Sequence, residues 1–206
     1  METLTELIGR YPKLAGCRKE MEESAALLIR AFENGNRLYL CGNGGSAADA
    51  DHIVGELMKG FLKKRPLSAA RLAAFGADAE HIGARLAVGL PAISLHSQSA
   101  LLTAFMNDED PALVFAQALY ALGEKGDVLL AISTSGSSAN IVAAAKTAKA
   151  LGMCVIALTG QKECALDAVS DFAIHVGDTE TYRVQELHLP VYHWLCAAVE
   201  EHFFPL

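Results

Sequence analysis

This 206-residue chain is short of positive charge and of paired cysteines. It has 17 lysine and arginine residues against 24 aspartate and glutamate residues, a formal net charge of −7. That balance argues against a nucleic-acid partner or an anionic membrane, because both attract basic surfaces. The five cysteines are scattered, without a C-x-x-C pair, so we predict neither a disulfide framework nor a zinc ribbon. Reduced thiols of this kind are typical of the cytoplasm.

The chain also lacks an obvious membrane-spanning run. Residues 87–106 carry no formally charged side chain, but they include Gly89, Pro91 and His96. Such interruptions are costly in hydrocarbon, so we predict a buried strand followed by a loop. The first residues have neither the basic start nor the apolar core of a signal peptide. We therefore expect a cytoplasmic protein with no membrane partner.

What the chain does have is an alternation of apolar strands and helices. Its strand-like runs lie at 37–41, 91–95, 127–132, 153–158 and 171–176. Helical patterns lie at 47–62, 111–122, 138–151 and 181–203. Runs that are apolar almost throughout are typical of parallel strands covered on both faces. The pattern predicts an α/β fold, a doubly wound, flavodoxin-like five-stranded parallel sheet with helices on both faces.

The predicted domain organisation includes an N-terminal segment and one insertion. We expect a single domain, 1–206, with an N-terminal helical segment, 1–35, and an inserted segment at about 66–89 holding a helix or two. Within the first segment, Thr3 and Glu6 form a capping-box pattern, Pro12 suits the start of a second helix, and Gly35 can end it. The apolar fraction of 52% is high for a monomer, which predicts a subunit interface.

Two loops carry the strongest functional signal. Residues 42–46 (GNGGS) and 133–138 (STSGSS) each follow a predicted strand and lead into a predicted helix. Backbone amides, hydroxyl groups and the positive end of a helix dipole meet there, which is typical of phosphate binding. Neither loop contains lysine or arginine, so a nucleoside-triphosphate cradle is not predicted. A small phosphorylated metabolite, such as a sugar monophosphate, fits better.

A dinucleotide site is the alternative interpretation of the first loop. Gly42, Gly44 and Ala47 also match G-x-G-x-x-A. An NAD site would need an acidic residue about 20 positions further on, where this chain has Lys63, Lys64 and Arg65. Arg65 could instead bind the 2′-phosphate of NADP, so that alternative stays open.

Candidate acid–base groups lie on two predicted helices. His52 and Glu56 are four residues apart, so they share one helix face, although a surface hydrogen-bonded pair would have the same spacing. Gln185, His188 and His193 are polar residues within the otherwise apolar last helix. Buried polar groups need partners, so this cluster is more than a lone core histidine.

Taken in order along the chain, these motifs resemble the SIS (sugar isomerase) domain family. The matching residues are 41–46 (CGNGGS), His52, Glu56, 107–108 (ND), 126–130 (GDVLL), 133–136 (STSG), 158–160 (LTG) and 185–188 (QELH). Within the family the chain is similar to the phosphoheptose isomerases, which act on sedoheptulose 7-phosphate. The resemblance implies a homotetramer with sites at subunit interfaces, and aldose–ketose isomerisation of a sugar phosphate through an enediol.

The resemblance also implies roles for particular residues. Isomerisation through an enediol also needs a base and an acid, and Glu56 and His193 could serve as that pair. The resemblance implies one zinc ion per site, bound by His52, Glu56, Gln185 and His193. The substrate-binding residues implied are Asn43, Gly44, Gly45, Ser46, Gln98, Ser133, Thr134, Ser135, Ser138 and Gln185. Gln98 stands where these isomerases often carry an aspartate, and it cannot act as a base.

Two alternatives remain, one for a zinc ligand and one for the function. Gln185 and His193 are eight residues apart, about 12 Å along an ideal helix, so His188 is an alternative zinc ligand. Pro190 lies between them and predicts a kink. The alternative function is that of a non-catalytic SIS-fold regulator, related to tetrameric proteins that associate with replication initiators.

Overall fold

The strands form as the apolar runs predict. The structure is a computed structural model that describes residues 1–205. The strands within that range are β1 (Leu38–Cys41), β2 (Ala92–Ser94), β3 (Val128–Ile132), β4 (Cys154–Thr159) and β5 (Phe172–His175). They form one parallel sheet in the order β2-β1-β3-β4-β5. The predicted doubly wound α/β fold is confirmed.

Helices cover both faces of this sheet. They are α1 (Leu4–Arg10), α2 (Arg18–Glu33), α3 (Gly45–Met58), α4 (Ala69–Ala73), α5 (Ser99–Asp108), α6 (Val114–Leu122), α7 (Ala139–Ala150) and α8 (Thr181–Phe203). Successive strand residues point to opposite faces. Leu38 and Leu40 of β1 therefore pack with α1, α2, α3 and α8, whereas Tyr39 and Cys41 pack with α5, α6 and α7.

The helices differ from the prediction most clearly in three places. Pro12–Cys17 is a 3₁₀ segment, so α2 begins only at Arg18. The helix predicted to reach residue 62 ends at Met58, because the buried Glu200 carboxylate accepts hydrogen bonds from the amides of Phe61 and Leu62. The segment after β2, predicted as a loop, contains α5. Leu101, Leu102 and Phe105 of α5 are partly buried against the second face of the sheet.

The inserted segment contains short helical pieces, as expected. Besides α4, it has two 3₁₀ turns, Gly76–Asp78 and Gly83–Arg85, and most of its side chains are exposed. Its two ends meet where the Val88 amide donates a hydrogen bond to the Arg65 carbonyl over 2.7 Å. The segment therefore leaves and rejoins the chain at one place, between α3 and β2.

The five cysteines lie in buried or half-buried positions. Each cysteine is free, and burial raises the pKa of the Cys17, Cys41 and Cys196 thiols to about 12, so these three stay protonated. Within residues 1–205, no helix combines the length and the apolar composition needed to cross a membrane.

Sheet order brings the two predicted loops together. β1 and β3 are adjacent and parallel, with Cys41 paired to Ala131. Residues 42–46 and 133–138 continue from the carboxyl ends of these two strands, so they lie side by side at one edge of the sheet. This edge is where parallel α/β sheets place their ligands.

Candidate functional site

The two loops line a polar cavity of about 290 Å³. Its lining consists of Asn43, Gly44, Gly45, Ser46, Ile132, Ser133, Thr134, Ser138, Thr181 and Gln185. We call this the anion cavity. Gly44 has φ +55° and Gly136 has φ +62°, backbone conformations that favour glycine, so each loop turns sharply into its helix. Eight of the ten residues predicted to bind substrate line this cavity.

Helix dipoles make the anion cavity electropositive without a basic side chain. α3 begins at Gly45, α7 begins directly after Ser138, and α8 begins at Thr181, and all three of these residues line the cavity. Helix N-termini carry a partial positive charge and unpaired amide groups. The hydroxyls of Ser133 and Ser138 lie 3.2 Å apart at the same place. Hydroxyl groups and helix ends of this kind can hold a phosphate.

A pair of side-chain amides joins the first loop to the start of α7. Asn43 donates to the Asn140 side-chain carbonyl over 2.9 Å, and Asn140 donates back to Asn43 over the same distance. The Asn140 carbonyl also accepts from the amide of Ile141. Sequence reasoning missed Asn140, because an asparagine at the start of a helix has no pattern that marks a partner 97 residues away.

Gln185 belongs to the anion cavity. A Cβ on Gly45 would lie 2.7 Å from the Gln185 Nε2 atom, so only glycine lets α8 approach the first loop this closely. Ser135 is exposed and lines an adjoining cavity of about 200 Å³ with Gly160 and Lys162. Gln98 is exposed at the start of α5 and does not line the anion cavity.

The predicted catalytic residues gather further along α3 and α8. His52 Nε2 lies 3.2 Å from Glu56 Oε1, and the rings of His52 and His193 have their centroids 5.0 Å apart. Lys59 Nζ approaches the other Glu56 oxygen at 3.3 Å. The Glu56 side chain is only 14% exposed. We call His52, Glu56 and His193 the histidine–glutamate cluster.

His193 has an unused nitrogen. Its Nε2 atom is buried and has no hydrogen-bond partner among the described residues. Burial, and then the neighbouring His52, lower the pKa of His193 below its ordinary value, so the uncharged ring is favoured. The ring also lines an apolar cavity of about 350 Å³ that includes Phe61, Leu62 and Leu189. An uncharged imidazole with a free lone pair can act as a base or as a metal ligand.

The structure places Gln185 apart from the other three residues implied as zinc ligands. Gln185 on α8 contacts Gly45 on α3, and seven residues later Tyr192 contacts His52. Seven residues span about 10 Å of helix, so Gln185 stands about two turns before the histidine–glutamate cluster along α8. Pro190 leaves α8 unbroken from Thr181 to Phe203. Within residues 1–205, no three His, Cys, Asp or Glu side chains surround a point where an ion could sit.

His188, the alternative ligand, points into the core. It is fully buried, and five residues of helix turn it about 140° away from His193. Neither ring nitrogen has a side-chain or backbone hydrogen bond among the described residues. Burial lowers the pKa of His188 from 6.5 to about 4.

His188 makes folding sensitive to acid. Because its pKa is about 4 in the folded protein and 6.5 in the unfolded chain, the unfolded chain binds the extra proton as pH falls between these values. The free energy of unfolding then drops by about 3 kcal/mol across that window. We expect His188→Leu to lose less stability than the original chain between about pH 7 and pH 4.5, measured by urea unfolding. Equal losses in both proteins would contradict this.

Arg65 is not free to meet a cofactor phosphate. It is 2% exposed, its guanidinium pairs with Glu200 at 2.8 Å, and it donates to the carbonyls of Glu56 and Leu57. The possibility that Arg65 binds the 2′-phosphate of NADP is therefore wrong. The arginine is a structural group that links the end of α3 to α8.

Proteins of a known family are similar to this chain over most of its length. A profile of the SIS domain matches residues 15–87 and 77–160. The phosphoheptose isomerase of Thermodesulfovibrio yellowstonii is 37% identical over 186 residues, which cover 90% of this chain and 82% of that protein. The chain belongs to the SIS domain family. Both the resemblance expected from the motifs and the expected enzyme class, an isomerase, are confirmed.

Solved structures of the SIS family agree with this chain along nearly its whole length. The phosphoheptose isomerase of Neisseria gonorrhoeae is 31% identical, with a TM-score of 0.72, and the match covers 95% of this chain and 94% of that one. The phosphoheptose isomerase of Francisella tularensis is 28% identical, with a TM-score of 0.74, covering 98% and 100%. The SIS fold is therefore shared from the first helix to the last.

Proposed function

We propose that this protein interconverts the ketose and aldose forms of a sugar phosphate, with sedoheptulose 7-phosphate as its substrate. The main support for this proposal is that the same two helices, α3 and α8, contribute residues to the anion cavity and to the histidine–glutamate cluster. α3 and α8 begin at the anion cavity and carry the histidine–glutamate cluster further along. The names of the relatives, phosphoheptose isomerase, support the same substrate class.

The spacing of the two sites suits a substrate with its phosphate at one end. Ser46 and His52 are six residues apart on α3, about 9 Å along the helix. A sugar phosphate whose reacting carbons lie at the far end of the chain from the phosphate can span that distance. Amides and hydroxyls of the anion cavity would hold the phosphate, and this binding would orient the reacting carbons.

Isomerisation needs a base and an acid on either side of two adjacent carbons. In our proposal, the Glu56 carboxylate removes a proton from the carbon beside the carbonyl. The same proton is returned to the neighbouring carbon through an enediol. His193 exchanges a proton with the substrate oxygens through the ring nitrogen that does not hold the ion. The apolar wall around His193 would exclude water from this exchange.

A divalent ion fits this cluster in part. His52 Nε2 lies 3.2 Å from Glu56 Oε1, and the buried His193 Nε2 beside them has no partner in the described part of the chain. These are donors of the types that zinc prefers, but within residues 1–205 no three of them surround one point. We propose that His52, Glu56 and His193 hold one zinc ion per site. The fourth implied ligand, Gln185, would need α8 to shift against α3. When bound, zinc would stabilise negative charge on the substrate oxygens.

We further propose that the protein is a homotetramer with sites at subunit interfaces. Exposed apolar side chains lie beside the histidine–glutamate cluster: Leu62 is 62% exposed and Leu189 is 40% exposed, and both line the cavity that His193 shares. Large apolar side chains exposed together are typical of subunit contacts. A partner subunit at this place would close the site from water.

One preparation tests the substrate, the metal and the assembly together. We expect the purified protein to contain zinc by elemental analysis, to sediment as a tetramer, and to convert sedoheptulose 7-phosphate among a panel of five- to seven-carbon sugar phosphates. Removal of the ion with a chelator should abolish turnover, and added zinc should restore it. A metal-replete protein that converts none of these sugar phosphates would refute the proposed function.

A further inference from the structure

The two halves of the anion cavity come from distant parts of the chain, and one pair of side chains joins them. The first loop, residues 42–46, follows β1, and the second loop, residues 133–138, follows β3. The Asn43 and Asn140 side chains exchange two hydrogen bonds of 2.9 Å. Within residues 1–205, no other hydrogen bond joins the first loop to the second loop or to the start of α7. This pair is therefore the direct link between the two loops beyond the sheet.

A third hydrogen bond fixes the orientation of the pair. The Ile141 backbone amide donates to Asn140 Oδ1 over 3.0 Å, and only the oxygen of a side-chain amide can accept it. The Asn140 nitrogen is therefore the group that donates to the Asn43 carbonyl, and the Asn43 nitrogen donates in return. Because α7 is a 12-residue helix packed on β3 and β4, Asn140 holds Asn43 from a rigid element.

Asn43 belongs to the turn that directs the amides of the first loop. Its backbone carbonyl accepts from the Ser46 amide over 3.0 Å, and the residue after it, Gly44, has φ +55°. The amides of Gly44 and Gly45 lie at the start of α3, where helix N–H groups have no partner within the helix. Such amides can donate to a phosphate. Their direction depends on the turn, so a shift of Asn43 would turn them away from the phosphate.

We propose that Asn140 is a positioning residue for phosphate binding: through Asn43 it holds the amides of the first loop beside the hydroxyls of the second loop. Asn140 does not line the anion cavity, so it acts through Asn43, which does. The inference rests on the proposed function, because that function places the substrate phosphate in this cavity. A site whose donors are already in place loses less freedom when its ligand binds, and this strengthens binding.

Asn140→Ala tests the positioning role. The substitution removes both hydrogen bonds of the pair, and alanine favours the helix that holds this position. We expect the Kd for inorganic phosphate, measured by ³¹P NMR titration of the full-length protein, to rise about 10-fold. KM for the sugar phosphate should rise by a similar factor. In contrast, kcat should change by less than about 2-fold, because the reacting carbons lie at the histidine–glutamate cluster.

Asn140→Asp separates the positioning role from a loss of folding. Its carboxylate still accepts from Asn43 and from the Ile141 amide, and a negative charge near the start of α7 favours the helix. We therefore expect this variant to unfold at a higher urea concentration than Asn140→Ala. The carboxylate has no proton to donate to the Asn43 carbonyl, and its charge repels phosphate. We expect it to bind phosphate more weakly than Asn140→Ala.

Asn36→Ala is the matched control. The Asn36 side chain also joins the segments that contain β1 and β3, because it donates to the Lys125 carbonyl and to Asp127 over 3.4 Å. It lies before β1, at the opposite edge of the sheet, so this variant should bind phosphate as the original chain does. A double variant gives a second control. In a chain that already carries Asn43→Ala, adding Asn140→Ala should weaken phosphate binding by less than about 2-fold.

The outcomes separate this inference from the proposed function. Phosphate binding unchanged by Asn140→Ala, or an equal loss in Asn36→Ala, would overturn the positioning role. So would a further large loss in the double variant, because Asn140 would then act without Asn43. An original chain that binds phosphate but converts no sugar phosphate would refute the proposed function, and the phosphate affinities would still decide the role of Asn140. An original chain that binds no phosphate would overturn the positioning role.

Discussion

Replacing Glu56 with glutamine is expected to lower kcat by about 10²–10⁴-fold. Glutamine has nearly the same shape as glutamate, so the packing of this 14%-exposed side chain is kept. Its amide can neither accept a proton from carbon nor bind zinc as a carboxylate does. The measurement is steady-state conversion of sedoheptulose 7-phosphate by the variant and by the original chain, each supplied with zinc.

Binding of the sugar phosphate should survive the Glu56→Gln substitution. The anion cavity lies at the start of α3, and Glu56 lies near its end, so the phosphate contacts are untouched. Calorimetric titration with the substrate should therefore give a Kd within a few-fold of the original. Glu22→Gln, on the exposed surface of α2, is the control and should change neither quantity. An unchanged kcat in the Glu56→Gln variant would remove Glu56 from the mechanism.

Replacing Arg65 with methionine is expected to cost about 3–5 kcal/mol of folding stability. Arg65 and Glu200 are each at most 2% exposed, and the guanidinium donates to Glu200 as well as to two carbonyls at the end of α3. Without it, the Glu200 carboxylate stays buried with only the amides of Phe61 and Leu62 as partners within residues 1–205. Urea unfolding of both proteins measures the difference.

The pKa of Glu200 agrees with this large effect. Burial alone would raise it, but hydrogen bonds from Phe61, Leu62 and Arg65 outweigh burial and hold the pKa of Glu200 below its ordinary value. The carboxylate is therefore charged at neutral pH, and Arg65 is its only basic partner in the described part of the chain. Removing the arginine leaves a buried charge without its counterion.

Arg10→Met is the control for the Arg65 substitution. Arg10 also makes two hydrogen bonds with a single glutamate, Glu2, each 2.7 Å long, but both side chains are open to solvent. Exposed ion pairs contribute about 0–1 kcal/mol, so this variant should unfold almost like the original. If Arg65→Met also loses less than about 1 kcal/mol, the buried pair is not essential to the fold.

The fold was largely predictable because two of its strands, β3 and β4, are apolar almost throughout. Runs such as 127–132 and 153–158 can be buried on both faces only in a parallel sheet between helices, and β3 and β4 form within a residue of those positions. Helix ends were less predictable. Where α3 ends depends on Glu200, which lies 142 residues beyond Met58 and takes the amides that another helical turn would have used.

The candidate site was likewise predictable in part. Glycines and hydroxyls next to strand ends indicate phosphate binding locally, so the two loop motifs were enough to predict the anion cavity. The family resemblance added the histidine–glutamate cluster. The resemblance did not indicate the contacts of Tyr192 and Asn140, because each contacts a side chain roughly 100 or more residues away along the chain.

Composition and local pattern alone were enough to predict the parallel α/β sheet and the position of the two glycine- and hydroxyl-rich loops after its strands, since each depends on neighbouring residues. The packing of α3 against α8 decided the positions of three further side chains. Gln185 lies at the anion cavity, His188 lies in the core, and Arg65 pairs with Glu200. These outcomes depend on which way each helix faces and on what lies opposite. Such partners are distant along the chain, and they become neighbours only when it folds.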